Sequence, residues 1–421
     1  MTIPVRARRL SPKWRTLALI GPALVAGVAY LDPGNVAANM TAGARYGFLL
    51  VWVVVLGNLT AWLVQYLAAK LALGTGKSLT DLLGERISGN WARRFYWAQA
   101  ELVAIATDIA EVIGGAIALN LLFGLPLVLG GVITATVSLG ILVIHHRASV
   151  RVFEWIIVGL LIVVSIGFAI GAFIAPPSWL GVLGGLVPRI TDTGSLLLTT
   201  SILGATIMPH AIYAHSALTR DRFGDVTDAP RTRTLLRATR IDVTIALVIA
   251  GSVNLAMLLI GATTLSQMTG ELSLHSIYDT LGSALGPVIA LFFALGLLAS
   301  GLASTSVGAY AGAEVMHGLL HIRIPLLVRR IATVLPAVVI LAFGINPLWA
   351  LILSQVVLSL GIPFALIPLI AFTRNRTLMG ELTNRRRTTT LAVIATVIVT
   401  ALNFALVAIT VMNAASDFVL R

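Results

Sequence analysis

A chain of 421 residues that is 58% hydrophobic and only 11% charged cannot coat a water-soluble globule, whose composition takes roughly 25% charged residues. Its formal net charge of +12 would raise the question of nucleic acid, but the basic residues sit in short connections between apolar runs, where they act as topology signals. There is no cysteine, which excludes disulfides and thiolate metal ligands alike.

Apolar runs of about 20 residues, the length that crosses a bilayer, recur from end to end. In chain order the predicted spans are 17–44, 48–73, 95–122, 127–145, 152–175, 194–217, 240–263, 283–316, 326–343, 346–373 and 389–413. The tail 1–16 carries Arg6, Arg8, Arg9, Lys13 and Arg15 and could pass for a signal peptide. Its first apolar run leads into many others, which suits a retained helix better. The span 283–316 is too long for one crossing and is expected to include an extramembrane extension. Mean hydropathy is +0.96, in keeping with an all-α polytopic protein of about eleven helices.

The connections alternate in charge. Lys77, Arg86, Arg93 and Arg94 follow span two, and Arg147 and Arg151 follow span four. Arg220, Arg222, Arg231, Arg233, Arg237 and Arg240 follow span six; Arg323, Arg329 and Arg330 follow span eight. Arg374, Arg376, Arg385, Arg386 and Arg387 follow span ten, while the alternate connections hold little beyond Arg45 and Arg189. The positive-inside rule then puts the N-terminus and the basic loops in the cytoplasm and the C-terminus outside, in a bacterial inner membrane. The basic loops are also placed to touch anionic lipid.

Two spans carry a proline in mid-run beside polar groups: 27–35 (Gly27 to Asn35, with Asp32-Pro33) and 204–210 (Gly204 to His210, with Met208-Pro209). Proline removes one helical hydrogen bond and clashes with the preceding turn, so each helix is expected to open there. Superposed on proline, Ala29 matches Ala205 and Asp32 matches Met208. Matched interruptions in two halves point to an inverted-repeat transporter that binds its substrate at the midplane. The halves run over 17–175 and 176–373, with a basic loop and a last helix in 374–421.

Asp32 supplies a carboxylate, Asn35 an amide oxygen and Met208 a thioether, and the opened turns offer carbonyls at Ala29 and Ala205. One carboxylate with neutral oxygens suits a cation, and a soft sulfur suits a first-row transition ion such as Mn²⁺ or Fe²⁺ better than Ca²⁺ or Mg²⁺. Methionine alone is common packing material, so the weight falls on its place beside Pro209. Gln355 could join the metal shell or bond between helices. On the third span Glu101, Asp108 and Glu111 fall along one helical stripe, which reads as a proton relay. Arg329 and Arg330 are candidate countercharges for it, or topology anchors. His210 can exchange protons near neutrality and can ligate metals. His215 reads as structural, and His145 and His146 as incidental.

These residues resemble the Nramp family of divalent metal–proton symporters, which have a LeuT-like fold. The resemblance rests on Asp32-Pro33-Gly34-Asn35 and Met208-Pro209-His210, supported by 106–114, 119–124, 304–308 and 354–356. It extends over nearly the whole chain, and the eleven-span length looks like the bacterial manganese-transporting branch. It implies metal ligation by Asp32, Asn35, Met208 and the Ala205 carbonyl, with Ala29 and Gln355 joining in particular states. It implies a proton path from Asp32 through Glu111, Asp108 and Glu101 with Arg329 and Arg330, tuned by His210. Glu314 stands where the family pattern leads one to expect glutamine; it either faces the outside without consequence or alters proton entry.

The expected function is import of Mn²⁺, and also Fe²⁺, coupled to protons, with no resident cofactor and no obligate protein partner. The competing reading is a LeuT-like symporter of an amino acid or other organic solute. An enzyme is not expected: no H-E-x-x-H helix motif is present, and no convincing G-x-S-x-G elbow.

Overall fold

The computed structural model describes residues 21–147, 150–224, 229–266, 272–322 and 324–419. The basic tail 1–16, the start of the first predicted span and Arg323 lie outside the described residues, as do the side chains of His145, His146, Arg147 and Arg151.

Every regular element among the described residues is helical. The first predicted span is two helices, α1 (Pro22–Val28) and α2 (Pro33–Tyr46), separated by a tight 3-10 turn at Ala29–Leu31. Then follow α3 (Val51–Thr75), a short α4 (Leu79–Arg86), α5 (Asn90–Phe123), α6 (Leu127–Arg147) and α7 (Val150–Ile174). After a short α8 (Trp179–Gly184), the sixth predicted span is again double: α9 (Thr193–Ile207) and α10 (Pro209–Phe223). The remainder is α11 (Ala229–Ile260), α12 (Leu274–Leu285), α13 (Pro287–Leu320), α14 (Leu326–Ala342), α15 (Pro347–Thr373), α16 (Arg376–Met379) and α17 (Arg386–Val419).

Proline opens α1, α2, α10, α13 and α15, where its missing N–H costs nothing and its fixed φ favours the first turn. The eighth span differs from expectation. Gly286, at φ 99, separates an amphipathic α12 from α13, which continues unbroken to Leu320. A helix of 34 residues is about 51 Å long, well beyond a hydrocarbon core of about 30 Å. A single helix therefore holds more residues than one crossing needs, and the chain before Gly286 is a separate element.

Seven helical stretches among the described residues are individually long and apolar enough to cross a membrane. They are not equivalent. In its most apolar stretch the α9–α10 pair is 94% buried inside the protein, against 28% for α17. The interrupted helices thus form the centre and α17 the periphery, where Phe404, Val411 and Met412 are exposed. Leu180 and Phe173 are exposed as well, as expected of a surface facing lipid. The long helices α5 and α13 pack along each other and brace the interrupted pair, with α15 closing it from the other side.

Close backbone approach holds this centre together. Gly43 of α2 faces Gly261, where α11 passes into a π-helical turn (Gly261–Leu265); a Cβ on Gly43 would lie 2.6 Å from the Ala262 nitrogen. A Cβ on Gly204 would lie 2.8 Å from the Ser359 nitrogen, so α9 and α15 touch main chain to main chain.

Candidate metal centre and carboxylate stripe

The two interruptions are built differently from similar parts. In the first, Asp32 is the N-cap of α2: its Oδ1 accepts the Asn35 N–H at 2.9 Å, satisfying one of the donors that a helix start leaves free. Its Oδ2 accepts from Gln355 Nε2 at 2.7 Å. In an unbroken helix the Ala29 carbonyl would take the N–H of residue 33, which is proline; here the Asp32 N–H fills that role at 3.2 Å. The Leu31 carbonyl is taken by the Ser300 hydroxyl, and the Tyr30 carbonyl by Asn35 Nδ2. Every one of these groups is buried.

In the second, α9 stops at Ile207, and Met208 has φ 10 and ψ 107, neither helical nor extended. Ala205 should be bonded by residue 209, but Pro209 has no N–H, and Met208 makes no return bond into α9. The Ala205 carbonyl is left without either of its usual donors. No side chain caps α10. Ala205 and Met208 are fully buried, and α9 packs against both the 29–31 turn and α2, so this bare carbonyl and the thioether belong to the same interior as Asp32.

Gln355 joins the two. A side chain on Gly34 would collide with its amide group, and its Oε1, buried, has no hydrogen-bond partner. Asn35 behaves otherwise than its residue type suggests. Its Oδ1 accepts from Asn39 Nδ2 at 2.5 Å, so one lone pair of the amide oxygen is engaged in this arrangement and the other is left for a ligand role. Among the described residues no three of His, Asp and Glu cluster as a metal site. A cation held here would rest on one carboxylate, carbonyl and amide oxygens and a thioether, a mixed oxygen–sulfur set suited to first-row transition ions.

The carboxylate stripe of α5 runs away from this centre. Gly114 leaves no room for a side chain against the Pro33 ring, which sets Glu111 one turn along from the Asp32 break. Glu111 is fully buried without a hydrogen-bond partner and faces α13, where a Cβ on Gly308 would stand 3.6 Å from its Oε1. Asp108 pairs with Arg330 at 2.5 Å, and Ser138 accepts from the same guanidinium at 2.8 Å. Glu101 pairs with Arg329 at 3.3 Å, while Arg329 also donates to the Ala309 carbonyl at 2.9 Å. Both arginines are buried, so they are interior countercharges and not loop anchors. His210 Nδ1 lies 3.3 Å from the Thr107 hydroxyl, which hangs on α5 beside Asp108, and its Nε2 has no partner.

Three features escape the sequence reading. His215 is not isolated: its Nδ1 lies 2.6 Å from Gln65 Oε1, and Gln65 bonds the Tyr30 hydroxyl, so the histidine is wired to the first interruption. Asp242 of α11 accepts the N–H groups of Gly21 and Ala23 at 3.1 and 2.9 Å, capping α1 from another helix. Glu314 faces the side of the basic connections, where it pairs with Arg220 at 2.9 Å. Arg220 also binds Asp81 at 2.7 Å. In α4, outside the spans, burial pushes the Asp81 carboxyl up, but bonds from Ser78 and Arg220 outweigh it and hold it below its ordinary value.

Comparison with known proteins accords with this geometry. Residues 23–409 match the family model described as natural resistance-associated macrophage protein-like (Nramp). The chain is 53% identical over 393 residues to the divalent metal cation transporter MntH of Mycobacterium tuberculosis, covering 93% of this chain and 92% of the relative. Its structure superposes on the manganese transporter of Eremococcus coleocola with a TM-score of 0.84 at 32% identity, covering 95% of this chain and 88% of that one. The fold alone is shared with the inward-facing form of Mhp1, at TM-score 0.58 and 16% identity over 93% of this chain and 91% of that one. An all-helical polytopic chain with a LeuT-like fold, matched over nearly its whole length, this protein belongs to the Nramp family.

Proposed function

We propose that this divalent metal cation transporter imports Mn²⁺, with Fe²⁺ as a second substrate, together with protons by alternating access across a bacterial inner membrane. The N-terminus and basic connections lie in the cytoplasm, and residues 17–175 and 176–373 form two inverted repeats whose interruptions meet at the site. The observation that carries this reading is the asymmetry at the centre: a carboxylate already bonded at Asp32, opposite an Ala205 carbonyl that Pro209 deprives of its donor. Relatives described as divalent metal cation and manganese transporters support the same substrate class.

The ligands are Asp32, Asn35, Met208 and Ala205, with Ala29 and Gln355 joining as the helices move. An approaching M²⁺ favours the ionised Asp32, because a nearby positive charge lowers a carboxylate pKa. The Gln355 amide then turns, withdrawing Nε2 from Asp32 and presenting its unpartnered Oε1 to the ion. The proton displaced from Asp32 passes to Glu111 and on along the stripe, where Arg330 and Arg329 hold Asp108 and Glu101, with His210 at its flank.

A symporter for amino acids would present an open helix N-terminus to the substrate carboxylate. In α2 that position is filled by the Asp32 side chain, which would repel such a group, and the uncapped start of α10 stands beside the Met208 thioether, a donor that a carboxylate does not use. The test is Mn²⁺ uptake with pH recording in proteoliposomes. Asp32→Asn is expected to lose proton-driven uptake, and full retention would sink the assignment.

A further inference from the structure

A basic cleft lies away from the residues around Asp32 and Met208. We propose that the cleft of about 670 Å³ between α3, α11 and the segment before α17 binds the phosphate-bearing headgroup of an anionic membrane lipid. Its lining brings Lys70, Arg237, Arg240 and Arg385 together with Tyr66 and a single acid, Glu381. Glu381 is turned to Arg233 at 3.8 Å, and among the described residues no carboxylate pairs with Arg237, Arg240 or Arg385. Four like charges around one cleft repel one another unless an anion enters, and guanidinium groups suit phosphate oxygens.

Depth distinguishes a lipid from a soluble anion. Arg240 lies 5.9 Å over the Trp62 ring and 5.7 Å over Tyr66, and those two rings stack with centroids 5.9 Å apart. Trp and Tyr mark the headgroup level of a bilayer, and the cleft stands on the side of the basic connections, where anionic lipids attract cations. Lys70 is buried at the back of the cleft and donates to Asn384 at 2.8 Å, which fixes the floor. Ile241, exposed beside Arg240, offers an acyl chain an apolar way out. The volume falls in the range of small-molecule sites, roughly 300–1,000 Å³, and far exceeds one phosphate.

The test is native mass spectrometry of the full chain after delipidation, titrated with phosphatidylglycerol or phosphatidylcholine. Binding to phosphatidylglycerol is expected to be at least roughly tenfold tighter. The triple variant R237Q/R240Q/R385Q should lose that preference, whereas R231Q/R374Q/R376Q, which removes the same charge elsewhere, should keep it. Equal binding of the two lipids, or equal loss in both triple variants, would overturn the site. Displacement of phosphatidylglycerol by inorganic phosphate at equal concentration would overturn the choice of lipid as its occupant. The readout is binding, so it stands or fails apart from metal transport.

Discussion

The two interrupted helices carry the same sequence device, a proline in an apolar run, and put it to opposite uses. In the first, side chains and one main-chain N–H take up the loosened groups: Asp32 bonds Asn35, the Asp32 N–H covers the Ala29 carbonyl, and Ser300 covers Leu31. In the second, nothing replaces the donor that Pro209 removes, and the Ala205 carbonyl faces the interior bare. One break is a preassembled carboxyl post; the other is a set of neutral donors without a partner. On the proposed reading a cation would complete the second break and exchange partners at the first, where Gln355 Nε2 now holds Asp32.

Removing the post should have the largest effect. Asp32→Asn is expected to reduce Mn²⁺ uptake by more than the roughly 10–100-fold that loss of a supporting group costs a metal site. Vesicle uptake of radiolabelled manganese measures it.

The sharpest test exchanges the prolines. Pro209→Ala restores an N–H that can satisfy the Ala205 carbonyl, so Mn²⁺ affinity should fall by roughly tenfold, about 1.4 kcal/mol. Pro33→Ala should change affinity several-fold less, because the Ala29 carbonyl already has a donor. Isothermal titration of both variants decides, and equal losses would erase the distinction between the breaks.

Next comes selectivity. Met208→Ala should keep part of manganese transport and begin to admit Ca²⁺ or Mg²⁺, since the lost donor is the one that hard ions do not use. Competition uptake at two pH values checks it, and unchanged discrimination would remove sulfur from the account.

The smallest effect concerns the far end of α10, which Arg220 anchors to Asp81 and Glu314. The Asp81 carboxyl is held below its ordinary value, so its contribution to stability is full above that value and lost as pH falls through the depressed one. Asp81→Asn should lower Tm by about 1–2 °C near pH 7, and the difference should close as the medium becomes strongly acidic. A thermal melt series over pH reads it directly.

What could be read from residues alone were features with a local signature. Asp32-Pro33 and Met208-Pro209 are contiguous, and the stripe of Glu101, Asp108 and Glu111 follows from helical period. The positions of the helices followed from apolar length. Partnerships between distant segments could not be read that way. Gln65 is a lone amide in an apolar span, and nothing local ties it to Tyr30 and His215. Asp242 stands among basic residues and reads as one more surface charge, although it caps a helix more than two hundred residues earlier. Asn39 lies one turn past Asn35, a spacing that allows contact; that it bonds the Asn35 amide oxygen depends on rotamer and not on spacing. The division at Gly286 was missed because hydropathy runs on through a glycine that the backbone uses for a positive φ.

The cap that Asp242 places on α1 has a kinetic corollary. The N–H groups of Gly21 and Ala23 look to a carboxylate on a different helix, so α1 cannot swing away as a rigid rod without stranding two donors, each at about 1–3 kcal/mol if left dry. Any movement that parts α1 from α11 would therefore have to hand those two donors to water, so wetting of a single helix end accompanies such a motion.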